Sequence, residues 1–252
     1  MKRQYHVLFF CLLMVTLCLA CGASGEKDNA HLTKLFDGER AHQYHADRYQ
    51  VGILIMDGTY NSELVAPYDI FQHTQYRKEI KQMDVFTIAK TTDVVRSFEG
   101  LRMIPDYSYK EEHPPIDILV VPSAEHHLDT DLEDVELIRW VKETSESAEF
   151  VTSHCDGAFV LAKAGLLDNS ASTTFPSDIP KYKEMFPKLD VRDSTLFVHD
   201  GKFITSAGGA KSFEAALYLT EYLYGKEVAD RLAKGLVIDW QLSEIPHVII
   251  GK

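Results

Sequence analysis

The chain has 252 residues, of which 45% are apolar and 25% charged, with a formal net charge of −12 at neutral pH. That length supports one sizeable α/β domain with a full core and leaves too little for two. The acidic balance, without any Lys/Arg cluster, argues against a nucleic-acid partner, because phosphate binding wants a basic face.

The chain opens with Lys2 and Arg3, followed by the apolar run Val7 to Ala20, the size of a signal-peptide core rather than a membrane span. The run ends Leu17-Cys18-Leu19-Ala20-Cys21-Gly22. A small residue before Cys, then Gly, is the pattern of a lipobox, in which that Cys is acylated and becomes the mature N-terminus. Cys18 stands where an aliphatic residue is usual. Residues 1–21 are therefore expected to be a signal peptide, with lipid on Cys21. The protein would be exported and held to a membrane, facing the periplasm or the exterior; the alternative is plain cleavage and secretion. Residues 22–49 are polar, with scattered His31, His42 and His45, and read as a tether without a ligand-like metal cluster. Residues 50–252 form the folded domain. Cys11 and Cys18 depart with the signal and lipid blocks Cys21, so Cys155 is left as the domain's only thiol.

Val51 to Met56 is a near-continuous apolar run, the sign of a strand buried on both faces. A turn at Asp57-Gly58-Thr59 leads to a helix capped by Asn61 or Ser62, in which Pro67 predicts a kink unless it lies in the first turn. Val85 to Ala89 is a second strand. Val94–Phe98 and Leu101–Ile104 pair as a small hairpin across Glu99-Gly100, and Ile116 to Val121 is a further buried strand ending at Pro122-Ser123-Ala124. An amphipathic helix covers Asp134 to Lys142.

The strand Glu149 to Thr152 then runs without spacer into Ser153-His154-Cys155-Asp156-Gly157 and a helix bearing Phe159, Val160, Leu161, Ala164 and Leu166. A strand turning sharply into a helix, with a nucleophile at the turn and Gly two places on, is a nucleophile elbow. At the positive end of the following helix the thiolate is expected to be favoured over the thiol. Ser172 to Phe175 is a short strand-like piece, and Ile179 to Phe186 is helical. Leu196–His199 and Phe203–Thr205 flank Asp200-Gly201 as a hairpin, and helices over Ala210–Tyr224 and Lys226–Leu236 follow. The alternation predicts an α/β fold of flavodoxin-like type, an open, mainly parallel sheet sandwiched by helices. In such sheets the site lies beyond the carboxyl ends of the strands, where Cys155, Glu63 and Ser123 fall.

Four stretches carry a resemblance: Glu63 to Phe71 (ELVAPYDIF), Asp117 to Pro122 (DILVVP), Cys155 to Leu167 (CDGAFVLAKAGLL) and Thr205 to Gly209 (TSAGG). Together they resemble the ThiJ/PfpI superfamily, with its class I glutamine-amidotransferase-like fold, and more narrowly the isonitrile hydratase branch and related sensor domains of transcription regulators. The resemblance implies a homodimer, and an acid paired with the elbow Cys, the place Glu63 holds four residues before Pro67. It also implies oxyanion donors from the Asp156 amide and the loop after Pro122, where Ser123-Ala124 replace the usual Gly-Gly. Relatives with a Cys–His pair carry His at the positions of Asp156 and Phe175, so a hydrolytic Cys–His–acid triad is not expected. His154 should point away from the site, and His199 should be solvated.

The expected enzyme is a hydratase for a small electrophile, with Cys155 attacking, Glu63 supplying the proton and Asp156 orienting water, and with neither cofactor nor metal. The alternatives are a non-enzymatic domain that senses redox state or a small ligand, a glyoxalase- or deglycase-like enzyme, and an inactive protein whose pocket is filled by Phe175.

Overall fold

In a computed structural model, residues 42–251 can be described. The leader, Cys21 and the tether up to residue 41 lie outside the described residues.

The strands are β1 (Tyr49–Leu54), β2 (Met83–Ala89), β3 (Val95–Arg96), β4 (Arg102–Met103), β5 (Tyr107–Ser108), β6 (Ile118–Val121), β7 (Phe150–His154), β8 (Ala171–Ser172), β9 (Asp190–Val191), β10 (Phe197–Asp200), β11 (Phe203–Ser206) and β12 (His247–Ile250). The helices are α1 (Asn61–Gln72), α2 (Val135–Ser147), α3 (Gly157–Lys163), α4 (Ile179–Met185), α5 (Ser212–Tyr224) and α6 (Lys226–Gly235). Eight strands form one sheet in the order β12-β10-β11-β7-β6-β1-β2-β5. Six run parallel, but β10 is antiparallel to β11 and β12 follows β10, so the sheet is mixed at one edge rather than parallel throughout. The Asp200-Gly201 turn causes this, since a two-residue connection can only join antiparallel neighbours.

The apolar runs are continuous because both faces of the sheet are covered. Val51, Ile53, Ile118 and Val120 pack with Leu64, Ile70 and Phe71 of α1 and with Leu217 and Leu232 of α5 and α6. Leu54, Leu119, Val121 and Val151, on the alternate face, meet Leu137 and Val141 of α2, Phe159 of α3 and Tyr182 of α4. This three-layer sandwich fixes the ends of β1, β6, β7 and β11 beside one another.

Several boundaries differ from the expectation. Tyr60, not Asn61 or Ser62, is the N-cap of α1, and it gives no side-chain cap bond. Pro67 lies inside α1, which continues to Gln72. Residues 42–48 belong to the body rather than the tether. Asp84 is buried at the start of β2 and is held by the backbone N–H of His45 at 3.0 Å and Arg48 Nη1 at 2.8 Å. A buried carboxylate requires such partners, and the sequence immediately before β1 provides them.

Candidate active site around Cys155

Cys155 connects β7 to α3 with φ of +52°, one of three non-glycine residues in the left-handed region among those described. For an L-residue this costs on the order of 1–2 kcal/mol and persists only where the surroundings over-determine it. Here they do. The Cys155 N–H donates to Ser206 O at 2.9 Å, and the Cys155 carbonyl accepts from Ala158 N–H at 3.3 Å. A Cβ on Gly157 would lie 2.0 Å from the Val121 carbonyl oxygen, and one on Gly208 would lie 2.4 Å from Cys155 Cβ. The turn is therefore wedged between the end of β6 and the exit of β11, and only glycine permits that spacing.

Glu63, in the first turn of α1, is 3% exposed and faces this turn. Its Oε2 accepts the Ser123 N–H at 2.9 Å and its Oε1 the Gly209 N–H at 3.0 Å, and the Cys155 thiol hydrogen-bonds to the same carboxylate. Burial raises the Glu63 pKa, against the three hydrogen bonds that favour the ionised form. Asp156 is 6% exposed; the Thr174 hydroxyl reaches both its Oδ1 (3.1 Å) and the Cys155 carbonyl (3.0 Å). Burial, with the negative charge of Asp178, pushes Asp156 up to about 7.

The thiol behaves contrary to the helix-terminus expectation. Burial, then the charges of Glu63 and Asp156, push it well above the ordinary cysteine range, against hydrogen bonding from the Asp156 N–H and the Ser123 hydroxyl. A helix end supplies about 0.3–1 kcal/mol, under one pKa unit, and α3 has only seven residues. Two buried carboxyls beside the sulfur outweigh it. Burial first, and then the two carboxyls, keep the proton on sulfur at neutral pH, with the Glu63 carboxylate placed to accept it.

The loop after Pro122 departs from the expected oxyanion role. The Ser123 N–H is taken by Glu63, and the Ala124 N–H donates to Nδ1 of His127 at 3.2 Å. Neither amide is free for substrate. What the loop offers is the Ser123 hydroxyl, fully buried and without a well-formed hydrogen bond, leaning toward the sulfur.

His154 and His199 are both committed elsewhere. His154 is buried, with Nδ1 3.0 Å from Ser206 Oγ, and its pKa falls to about 3 through burial. His199 is not solvated: it is 3% exposed, its Nδ1 lies 2.6 Å from the Tyr218 hydroxyl and its Nε2 2.9 Å from Gly201 O. A short hairpin on a covered sheet buries the residue beside its turn, which the local pattern could not disclose. Phe175 is 39% exposed and so is not a buried plug. Sequence reasoning missed His127, which fixes the Ala124 amide, and Tyr60, which borders the site and stacks on Phe98 at 4.5 Å. Burial, with the negative charges of Asp156 and Glu63 nearby, raises the Tyr60 phenol. Among the described residues, no group of three or more His, Cys, Asp or Glu is placed to hold a metal ion.

The fold and this site agree with a match to the DJ-1/PfpI family over residues 49–222. The chain belongs to the DJ-1/PfpI family. Among characterised relatives, it is similar to isonitrile hydratase of Pseudomonas putida, 28% identical over 183 residues that cover 71% of this chain and 74% of the relative. Among solved structures, a ThiJ/PfpI protein from Pseudomonas syringae superposes with a TM-score of 0.66 at 20% identity, over 82% of this chain and 85% of that one. DJ-1beta of Drosophila melanogaster gives 0.64 at 22% identity, over 77% and 100%. At those identities the structures establish the fold.

Asp156 leads to a measurable pH dependence. An aspartyl with a folded pKa of about 7 against about 4 when unfolded keeps its proton in the native state after the unfolded chain has lost it. The stability this contributes is fully present below about pH 4 and is lost as pH rises through about 7. Buried His127 and His154, both lowered to about 3, act with the opposite sign. The isolating quantity is therefore the difference between wild type and Asp156→Asn. In urea unfolding the variant is expected to gain stability relative to wild type between pH 5 and pH 8. A difference that stays constant across that range would show Asp156 to be ionised throughout.

Proposed function

We propose that the protein hydrates a small neutral electrophile of the isonitrile type, converting R–N≡C and water into R–NH–CHO. Cys155 acts as the nucleophile of an elbow. The observation that carries this reading is the thiol of Cys155 set against the buried carboxyl of Glu63, with Asp156 alongside. As the sulfur attacks the terminal carbon, Glu63 takes the thiol proton and passes it to that carbon, giving a thioimidate R–N=CH–S–Cys155. Asp156, raised by burial to about 7, takes a proton from a water that adds to the same carbon and returns it to the nitrogen. Collapse breaks the C–S bond, restores the thiol and releases the formamide. Proton transfer by a group titrating near the working pH suits such a step.

The similarity to an isonitrile hydratase supports the same chemistry. The glyoxalase- or deglycase-like alternative calls for an imidazole base, and His154 and His199 are held by Ser206 and Tyr218. A redox-sensing role needs a thiolate at neutral pH, which burial and two carboxyls oppose. Export, a lipid anchor on Cys21 and pairing as a homodimer belong to the proposal as well; the first two rest on the leader's sequence and the last on the family. The test is incubation of purified protein with methyl and benzyl isonitrile. Formamide is expected to accumulate with wild type and not with Cys155→Ala; equal yields from both would refute the reading.

A further inference from the structure

On the Thr174 side of the Cys155 turn lies a cleft of about 530 Å³, a size typical of small-molecule sites and far more than a two- or three-carbon electrophile fills. Two of its lining residues adjoin Cys155. Thr174 bonds to the Cys155 carbonyl and the Asp156 carboxyl. Ala207 lies between Ser206, whose carbonyl accepts the Cys155 N–H, and Gly208, which packs on Cys155 Cβ. Pro176, Ile179, Leu196 and Pro246 make the walls.

The chemistry of the lining is selective. Three of its backbone donors are already taken: Ala207 N–H donates to Leu196 O and Leu196 N–H to Pro246 O, each at 2.7 Å. The Thr173 N–H donates to Thr205 Oγ1 at 2.8 Å. The one charged lining side chain, Asp193, is paired with Lys183 at 3.0 Å, so no cation in the lining offers itself to an anion. Ser194, also in the lining, is held at φ of +55°. Strain of that kind clusters at sites where geometry is imposed for function. The walls are cross-tied and rich in proline, hence rigid before anything binds, which spares a ligand the cost of ordering them.

From this we propose that the cleft receives the organic substituent of the substrate, and that the substituent is neutral, apolar and of at least ring size. The inference rests on the hydration reading for which end of the molecule reacts, and its test does not require turnover. The probes are three formamides, inert forms of the product: N-benzylformamide, N-methylformamide and N-formylglycine. Binding is measured by calorimetry on Cys155→Ala protein. The benzyl compound is expected to bind at least tenfold tighter than the methyl one, and N-formylglycine not measurably.

Pro180→Arg, at the exposed rim, is expected to weaken the benzyl compound at least fivefold without shifting the unfolding midpoint. Saturating N-benzylformamide should also slow alkylation of wild-type Cys155 by iodoacetamide. Three equal affinities, benzyl binding indifferent to Pro180→Arg, or alkylation indifferent to the ligand would each overturn the assignment. Benzyl binding and protection in a protein that forms no formamide from isonitriles would remove the hydration reading and leave the cleft standing. Turnover without benzyl preference would do the reverse.

Discussion

Glu63→Gln is expected to lower isonitrile turnover by roughly 10²- to 10⁴-fold, the usual worth of a positioned proton carrier, while making Cys155 easier to alkylate near neutral pH. The opposite signs follow from the site. Glu63 is the larger of the two carboxyl charges that push the thiol up, so neutralising it lets the thiol ionise at lower pH. The same substitution removes the proposed carrier of the proton from sulfur to carbon. Gln also turns an amide N–H₂ toward the N–H of either Ser123 or Gly209, each now bonded to a carboxylate oxygen. One buried donor is then left unmet, at a cost of about 1–3 kcal/mol in stability. A Glu63 that only held the loops together would lose stability and turnover with no downward move in the alkylation pH profile. Turnover within threefold of wild type would end its role as proton carrier.

How much of this could be read from residues alone depended on what each signal encodes. The strands of the sheet centre were legible because burial on both faces leaves an unbroken apolar run, as in Ile118 to Val121, and helix α2 because Asp134 announces its start. That residue caps the helix through the N–H groups of Glu136 and Leu137, both at 3.1 Å. Strand β12 was missed: it is four half-buried residues at a sheet edge, recruited by β10 from more than forty positions away. A pattern confined to neighbours in sequence holds no record of such pairing. At the site, Cys155 was marked by the turn and Glu63 by its distance from Pro67. The hydrogen-bond partners of the loop were not marked. Whether the Ser123 and Ala124 amides face a substrate or an internal acceptor is decided by Glu63, from α1, and by His127, three residues further along the same loop. The thiol's ionisation was misjudged for a related reason: a helix end is visible in sequence, whereas the combined burial of three acids is a property of the packed site.

The largest structural effect is expected at Gly208, and its neighbour provides the control. Both Gly208 and Gly209 sit at positive φ, +75° and +59°, which costs Ala on the order of 1–3 kcal/mol, and more at Gly208, whose ψ of −154° lies in a region essentially reserved for glycine. They differ also in what the new methyl meets. At Gly209 there is nothing within 4 Å, whereas at Gly208 Cβ would fall 2.4 Å from Cys155 Cβ and 2.6 Å from Cys155 N. Neither atom can swing aside: Cys155 is itself strained, its N–H is tied to Ser206, and α3 behind it is seated on Val121 through Gly157. Relief requires moving backbone in a close-packed interior, which adds roughly 1–3 kcal/mol and sometimes more. In denaturant unfolding, Gly208→Ala is expected to lose about 3 kcal/mol or more, and Gly209→Ala about 1–3 kcal/mol. The displaced Cys155 turn should also carry Sγ away from Glu63, lowering turnover in any Gly208→Ala that remains folded. Equal losses at the two positions would mean that β11 does not press against the Cys155 turn, and the positive φ of Cys155 would then need another cause.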